Sequence, residues 1–490
     1  MPAVRINQKI AVGVVFVSAM FMNIMDITIV NVALPTIGRD FHIAPTAVDG
    51  IVIAYLVSLA VFIPASGWLG DRFGGKRVLM AAIIVFTMGS VLCGLSQNLS
   101  ELVLFRVIQG AGGGMLAPVG MAMLFRAFPP SERVRASSIL TVGTTLAPAI
   151  GPVLGGLLVT DLSWRWVFFV NLPIGIVAFT FGLIFLEEHR QPHPGRFDLP
   201  GFLLSGAGFA LVLFGISDAP VRGWDSPVIL GSILLGAVLL ALLVRLELRT
   251  RQPLLQLRLF GNRLFRSTSL VLMVATAAFL GVLFVVPLLF QLGLGLTALQ
   301  SGLNTFPEAI GVMFGAQLAS RVFYPRFGPR RLVAIALVGV ATTTALMTQI
   351  GFGTDLWWAR LLMFTLGLCM AQVIVSSQAA SFATISVVDT AQASSLFNSQ
   401  RQLGSALGVA VLATVLAAVG TTRVVAGHTL PDLAGYHAAF LTASAIALIG
   451  AVVALTIHDA DAASTMVRRP SRFTRATRAV PSGDPAPNPA

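Results

Sequence analysis

Fourteen apolar stretches of about twenty residues each divide this chain, and they decide what it can fold into. They cover 10–37, 47–70, 77–97, 100–124, 136–160, 165–186, 199–217, 226–245, 267–291, 299–320, 332–350, 356–380, 394–418 and 437–457. Twenty helical residues match the roughly 30 Å hydrocarbon core of a bilayer. Lipid offers the backbone no hydrogen-bond partner, so each stretch must satisfy its own backbone as a helix. The chain is 56% hydrophobic and only 11% charged, with a mean hydropathy of +0.87. The expected fold class is therefore an all-α polytopic membrane protein with fourteen transmembrane helices, not a string of soluble domains. The first stretch is too long for a signal-peptide core and contains Asp26 and Asn31, so it reads as span 1.

The net charge of +12 is distributed by side. With the N-terminus inside, 25 of the 32 Lys and Arg residues fall in cytoplasmic segments, and only Arg39, Arg165, Arg222 and Arg423 lie opposite. Lys and Arg follow the cytoplasmic face in this way whatever the acidic residues do. Both termini are expected in the cytoplasm, and the basicity reports topology and lipid contact rather than nucleic acid.

One short stretch occurs twice. Asp71-Arg-Phe-Gly-Gly-Lys-Arg77 returns 254 positions later as Pro325-Arg-Phe-Gly-Pro-Arg-Arg331. The same shift carries Arg106 onto Arg360, and a shift of 253 carries Gly151 and Gly155 onto Gly404 and Gly408. Spans 1–6 thus map onto spans 9–14 as parallel repeats, a plan shared by many secondary transporters. The expected organisation is a six-helix bundle over 1–186, a linker with spans 7 and 8 over 187–266, a second bundle over 267–457 and a disordered cytoplasmic tail over 458–490. The tail's arginines would attract anionic lipid. The long outer loop over 420–436 is a candidate flap over the outer mouth.

Charges inside the spans are the candidate machinery. Asp26 sits about 16 Å deep in span 1, where a charge costs about 2.5–3.5 kcal/mol and normally faces a cavity or a partner. Arg106 in span 4, within Arg106-Val-Ile-Gln109-Gly110, needs a counter-charge or carbonyl dipoles, and its reach extends to the level of Asp26. Span 5 carries Pro148, Gly151, Pro152, Gly155 and Gly156, a kinked small-residue face suited to close, sliding contact with another helix. In span 10, Glu308 follows Phe306-Pro307. A buried acid beside aromatic side chains suits a cationic amphiphile, and a second proton site or a helix brace are its alternatives. Asn398 and Arg401 in span 13 are candidates to line the cytoplasmic half of the cavity, with Asp26, Asn31, Phe306 and Glu308 lining the rest. Arg360, without the following Gln-Gly, reads as structural. Gly67, Asp71, Arg72, Gly74, Lys76 and Arg77 form a tight charged turn in which Asp71 meets either a helix N-terminus or an arginine.

These motifs resemble the major facilitator superfamily. Gly67-x-Leu69-x-Asp71-Arg72-x-Gly74 is similar to that family's loop between spans 2 and 3, with Gly75 where a base is usual. The resemblance implies a cytoplasmic gate that locks the outward-facing state, asymmetric here because Pro325 replaces the acid. Asp26-x-Thr-x-x-Asn31-x-Ala-Leu-Pro35 resembles span 1 of the drug:proton antiporter branch with fourteen spans, and Asn398-x-x-Arg401-Gln402-x-Gly404 fits the same branch. Arg106-x-x-Gln109-Gly110 resembles the family's proton-transfer motif, and Gly151-Pro152-x-x-Gly155-Gly156 its antiporter motif. Trp164, Trp166 and Phe168, followed by Asn171-x-Pro173, look like the family's span 5–6 junction, though the tryptophans suit interface anchors equally. The implied function is proton-coupled export of drugs or other amphipathic, cationic or apolar small molecules from a bacterial cell, by a monomer in the cytoplasmic membrane. Export of an endogenous lipid, siderophore or self-made antibiotic is the alternative, and a non-transporting sensor a remoter one. No phosphate-binding Gly-x-x-x-x-Gly-Lys-(Ser/Thr) loop, zinc-binding His-Glu-x-x-His or catalytic triad pattern occurs. Enzymatic activity, metal and cofactor are therefore not expected, and the energy source is the proton-motive force.

Overall fold

The computed structural model describes residues 7–42, 45–190, 196–250, 253–425 and 428–466. Spans 1–5 are α1 (Gln8–Asp40), α2 (Pro45–Phe73), α3 (Gly75–Leu95), α4 (Leu99–Ala127) and α5 (Arg133–Asp161). Span 6 is broken into α6 (Trp166–Phe169) and α7 (Asn171–Phe185). Spans 7 and 8 are α8 (Leu199–Arg222) and α9 (Pro227–Arg249), and span 9 is α10 (Arg263–Leu288) with a π turn over Leu289–Gly293. Span 10 comprises α11 (Ala298–Thr305) and α12 (Pro307–Leu318). Then come α13 (Tyr324–Leu346), α14 (Leu356–Ser381), α15 (Thr390–Val419) and α16 (Ala434–Ala454).

Thirteen described stretches are long and apolar enough to cross a bilayer, and one of them, Gln300–Gln349, is 50 residues long. Unbroken, it would reach about 75 Å at 1.5 Å per residue. Gly328, at φ 73°, folds it back into two, which restores fourteen crossings. Local chemistry starts several helices. The side chains of Asn7, Asn98, Asn262 and Asp355 accept amide N–H groups at the N-termini of α1, α4, α10 and α14. Such caps satisfy donors that have no partner within the helix.

Equivalent pairs pack in both halves: α2 on α4 and α12 on α14, α1 on α5 and α10 on α15, α3 on α4 and α13 on α14. The extra pair is attached to one side. Phe202 of α8 meets Phe62 of α2 edge-on at 6.0 Å, and Trp224 donates to the Thr414 hydroxyl of α15 at 2.7 Å. Beyond α8, α9 is largely exposed.

Two segments depart from expectation. The loop between α15 and α16 contains an antiparallel hairpin, β1 (Thr422–Val425) with β2 (His428–Pro431), the only strands among the described residues. The segment expected to open the disordered tail instead forms a 3-10 helix over Asp459–Thr465. It is held because Asp461 accepts three hydrogen bonds from Arg263 and Tyr324 bonds Thr465. The rest of the expected tail, 467–490, lies outside the described residues.

The two bundles close on each other at the end that carries both Arg-Phe-Gly turns. Phe125 of α4 stacks on Phe382 at 4.5 Å, and Phe397 of α15 meets the same ring at 5.6 Å. Arg133 donates to the Phe382 carbonyl. Ser395 of α15 donates to the Ile63 and Pro64 carbonyls of α2 at 2.7 and 3.1 Å, and Ser138 of α5 to Ala316 of α12 at 3.1 Å. Past this seal α15 changes character: 393–399 are all buried, whereas Leu407 and Val411 are exposed.

Backbone packs closely on backbone where α15 meets α10. A methyl on Gly408 would run into the Ala277 carbonyl, whereas one on Gly156 would meet nothing within 4 Å. Gly408→Ala is therefore expected to cost about 1–3 kcal/mol by overpacking. Gly156→Ala should be neutral or stabilising by up to about 1 kcal/mol through helix propensity. Unfolding midpoints of the two variants in detergent check this, and equal midpoints would contradict it.

Candidate functional site

Asp26 and Arg106, both fully buried, form an ion pair at the centre of the first bundle. Arg106 Nη1 donates to Asp26 Oδ2 at 2.5 Å and to Gln109 Oε1 at 2.8 Å. Asp26 Oδ1 accepts from Gln109 Nε2 at 2.8 Å and from Asn171 Nδ2 at 2.9 Å. Every contact on the carboxylate comes from a donor, which is the pattern of the ionised form. Arg106 Nε also donates to the Ile51 carbonyl at 3.3 Å, and its guanidinium lies 4.2 Å from the Tyr55 ring centre. Tyr55 donates in turn to Asn23, which donates to the Gly113 carbonyl.

Two small-residue faces bring these groups together. Gly110, one residue past Gln109, lies where a methyl would stand 2.6 Å from the Tyr55 carbonyl, so α4 can approach α2 closely. Gly151 of α5 is packed against the Thr28 hydroxyl, and Gly155 against the Ile29 backbone. The α5 face thus touches α1 two and three residues beyond Asp26. Pro148 lies on the same helix, and Gly156 faces open space.

The expected cavity residues have different surroundings. Asp26 is sealed within its cluster and opens to no cavity. Asn31 is exposed, and Phe306 is 41% exposed. Glu308 is buried in the seam between α12 and α14, its backbone carbonyl against Gly367, with no hydrogen bond or ion pair among the described residues. Asn398 faces Met121 of α4, and Arg401 contacts Asn398 at 3.4 Å. Arg360 donates to Asn304 at 2.8 Å and lies over Trp357. Trp164 is buried, donating to Asp40 at 2.9 Å, which excludes an interface-anchor role; Trp166 is 48% exposed.

In the first turn, Asp71 accepts from Arg126 of α4 at 3.0 Å. Gly67 lies 3.2 Å, by a built methyl, from the Ala391 carbonyl of α15. Arg72 is exposed. Gly74, at φ 98°, ends α2 and starts α3. Glu188, just past α7, accepts the Lys76 and Arg77 amides at 3.1 and 3.2 Å and lies 3.7 Å from the Arg77 side chain. The second turn has a matching cap, since Asp459, just past α16, accepts the Arg330 amide at 2.8 Å beside Gly328. Pro325 does lack the acid of Asp71, but each turn keeps a carboxylate at the N-terminus of the following helix. Tyr55, Arg126, Glu188 and Asp459 carry no sequence signal that marks them as site residues, and Asn171 enters only through the span 5–6 junction. The polar Asn171 opening an apolar helix was the one available signal.

The Major Facilitator Superfamily profile matches residues 16–409. The chain belongs to the Major Facilitator Superfamily. It is 34% identical over 409 residues, 82% of this chain and 75% of the relative, to "Multidrug resistance protein B homolog" of Mycobacterium tuberculosis (strain CDC 1551 / Oshkosh). It is 30% identical over 402 residues, with the same coverage, to "Uncharacterized MFS-type transporter YhcA" of Bacillus subtilis (strain 168). Its fold is similar to that of the human organic anion transporter MFSD10, with a TM-score of 0.65, 91% of this chain and 99% of that one aligned, and 17% identity. At that identity the likeness concerns the fold alone. As a member of the Major Facilitator Superfamily, the protein is a multi-pass membrane transporter with bacterial multidrug-resistance relatives, not an enzyme.

Two expectations follow from this geometry. Arg106→Ala strands a buried carboxylate and should cost about 3–5 kcal/mol, while adding Asp26→Asn should recover part of that loss. A double-mutant cycle on unfolding in detergent measures it, and strict additivity would refute the coupling. At the turns, Glu188→Ala and Asp459→Ala should each cost about 0.5–2 kcal/mol as lost caps. Hydrogen exchange of the Lys76 and Arg330 amides should quicken in the respective variant, and unchanged protection would contradict the capping role.

Proposed function

We propose that the protein is a proton-coupled antiporter that exports drugs or other amphipathic small molecules across a bacterial cytoplasmic membrane by alternating access. The observation that carries this reading is the Asp26–Arg106–Gln109–Asn171 cluster, two residues along α1 from where the Gly151–Gly155 face of α5 packs. Asp26 accepts three hydrogen bonds and donates none. A proton added to it cancels the charge that Arg106 answers and places an O–H among donors, so the three contacts weaken. Protonation therefore loosens the joint between α1, α4 and α7, next to the small-residue face on which α5 packs. Proton binding and helix movement are coupled through the same atoms.

The side of closure supports the rest. The sealed end carries Arg72, Lys76, Arg77, Arg330 and Arg331, and the distribution of basic residues assigns it to the cytoplasm. The conformer is then outward-facing, with both termini inside, and the Asp71–Arg126 pair and the capped turns belong to the closed inner gate. Function as a monomer needs no cofactor, because each charge moved down 100 mV supplies about 2.3 kcal/mol. Glu308 is a candidate second carrier or a contact for a cationic cargo.

Reconstituted protein with an imposed pH gradient tests this directly. Wild type is expected to drive uphill movement of ethidium that collapses with a protonophore. Asp26→Asn should abolish the uphill movement by at least about 100-fold, on the scale lost when an essential proton-transfer group is removed, while retaining downhill exchange. Uphill transport by Asp26→Asn at the wild-type rate would sink the proposal.

A further inference from the structure

Arg401 is a cation inside a membrane helix that no carboxylate neutralises. It lies eleven residues into α15, about 16 Å from the sealed end at the helical rise. Arg106, inside α4, has Asp26. Arg401 has only the Asn398 amide oxygen at 3.4 Å, and no ion pair among the described residues. A charge held in that way within the hydrocarbon layer is costly, and such residues as a rule mark a ligand or ion pathway.

The position within the fold says what the cation faces. Gly404 and Gly408 turn one face of α15 onto Met273 and Ala277 of α10. Ser399, Gln402 and Leu403 turn another toward α2 and α8, against Ile63 and Phe209. At 3.6 residues per turn, Asn398 and Arg401 fall between these faces. Asn398 looks across the seam between the bundles to the Met121 thioether at 3.6 Å. Met273, beside Gly404, lies on the other flank. Ser395, two turns below Arg401, makes the last hydrogen bond of the seal to α2. Arg401 thus stands at the seam between the bundles, half-buried, next to Asn398 and between the Met121 and Met273 flanks, whose thioether chains are deformable.

We propose that Arg401, oriented by Asn398, is the anchor of an anion subsite, and that the cargo includes amphiphiles with an acidic group such as a sulfonate or carboxylate. A guanidinium presents a planar fork that matches such groups with two parallel hydrogen bonds. The Met surfaces receive the apolar body. This rests on the transport reading above and extends it from cationic to acidic cargo.

Binding and transport distinguish failure of this inference from failure of that reading. The full chain is reconstituted in phosphatidylcholine vesicles, so that no anionic lipid headgroup competes. Radiolabelled taurocholate serves as the anionic amphiphile and tetraphenylphosphonium as the cationic one. Equilibrium binding of taurocholate is expected for wild type and, weakened, for Arg401→Lys. In Arg401→Gln the ratio of taurocholate to tetraphenylphosphonium binding should fall about tenfold or more, the scale of a lost charged hydrogen bond. Taurocholate that fails to bind wild type, or an unchanged ratio in Arg401→Gln, overturns the subsite and leaves the antiport reading intact. Recovery of the ratio in Arg401→Gln/Glu308→Gln would also overturn it, by showing that Arg401 answers to Glu308 rather than to cargo. Uphill transport that is absent for both probes in wild type, with taurocholate still bound, counts against antiport alone.

Discussion

A carboxylate in the middle of a membrane must be answered from within the protein, and the first bundle is arranged around how Asp26 is answered. Its three hydrogen bonds come from α4 and α7, and the guanidinium that supplies the shortest also bonds to Ile51 of α2. Four helices therefore meet at two charges. None of the four can shift alone without leaving a buried donor or acceptor unpaired, and that penalty is of the order of 1–3 kcal/mol per group, more for a charge. A proton is one of the few agents that can change this balance without large motion. The cluster that stiffens the bundle is therefore also where the proposed proton coupling would act.

The close approach of helices is the second constraint, and it places the coupling. Arg106 and Gln109 reach Asp26 because Gly110 and Gly114 let α4 lie against the α2 backbone. Gly151 and Gly155 let α5 lie against Thr28 and Ile29, on the next turn of α1 from Asp26. In its second half the chain repeats the α5-on-α1 contact as α15 on α10, without a charge at its centre. What differs between the halves is the electrostatics, and the packing plan is shared.

The sequence carried the helices and the core of the cluster plainly. Apolar runs located every crossing, and the depth of Asp26 and Arg106 required partners for both. What stayed hidden depends on the chain returning from far away. Asn171 reaches Asp26 from 145 positions along the chain. Glu188 and Asp459 cap turns 111 and 129 residues earlier in the chain. Polar residues at span ends look like ordinary loop residues until the fold brings them to a helix N-terminus. The 254-residue shift does not link the two caps, because the second bundle has a longer loop with the hairpin. Equivalence becomes visible only when each cap is placed relative to the helix it follows. Composition likewise misread 459–465, since Asp459, Asp461 and Thr465 are ordered by partners in α10 and α13, not by apolar bulk.

The two halves divide their unpaired charges unequally, and this has a consequence for the transport cycle. In the first bundle Asp26 and Arg106 neutralise each other, so no ligand is needed to offset them. In the second, Glu308 and Arg401 stand without ionic partners among the described residues. A ligand shifts a conformational equilibrium only by its difference in affinity for the two states. A seam that closes over an unpaired guanidinium deprives it of water and raises its demand for a counter-charge. Cargo that supplies that charge stabilises the conformer in which the seam surrounds it more than the conformer in which the seam is open. Under the proposed anion subsite, the protein's own uncompensated charge is the means by which acidic cargo would lower the cost of occlusion, and the proposed proton site at Asp26 lies on the opposite bundle.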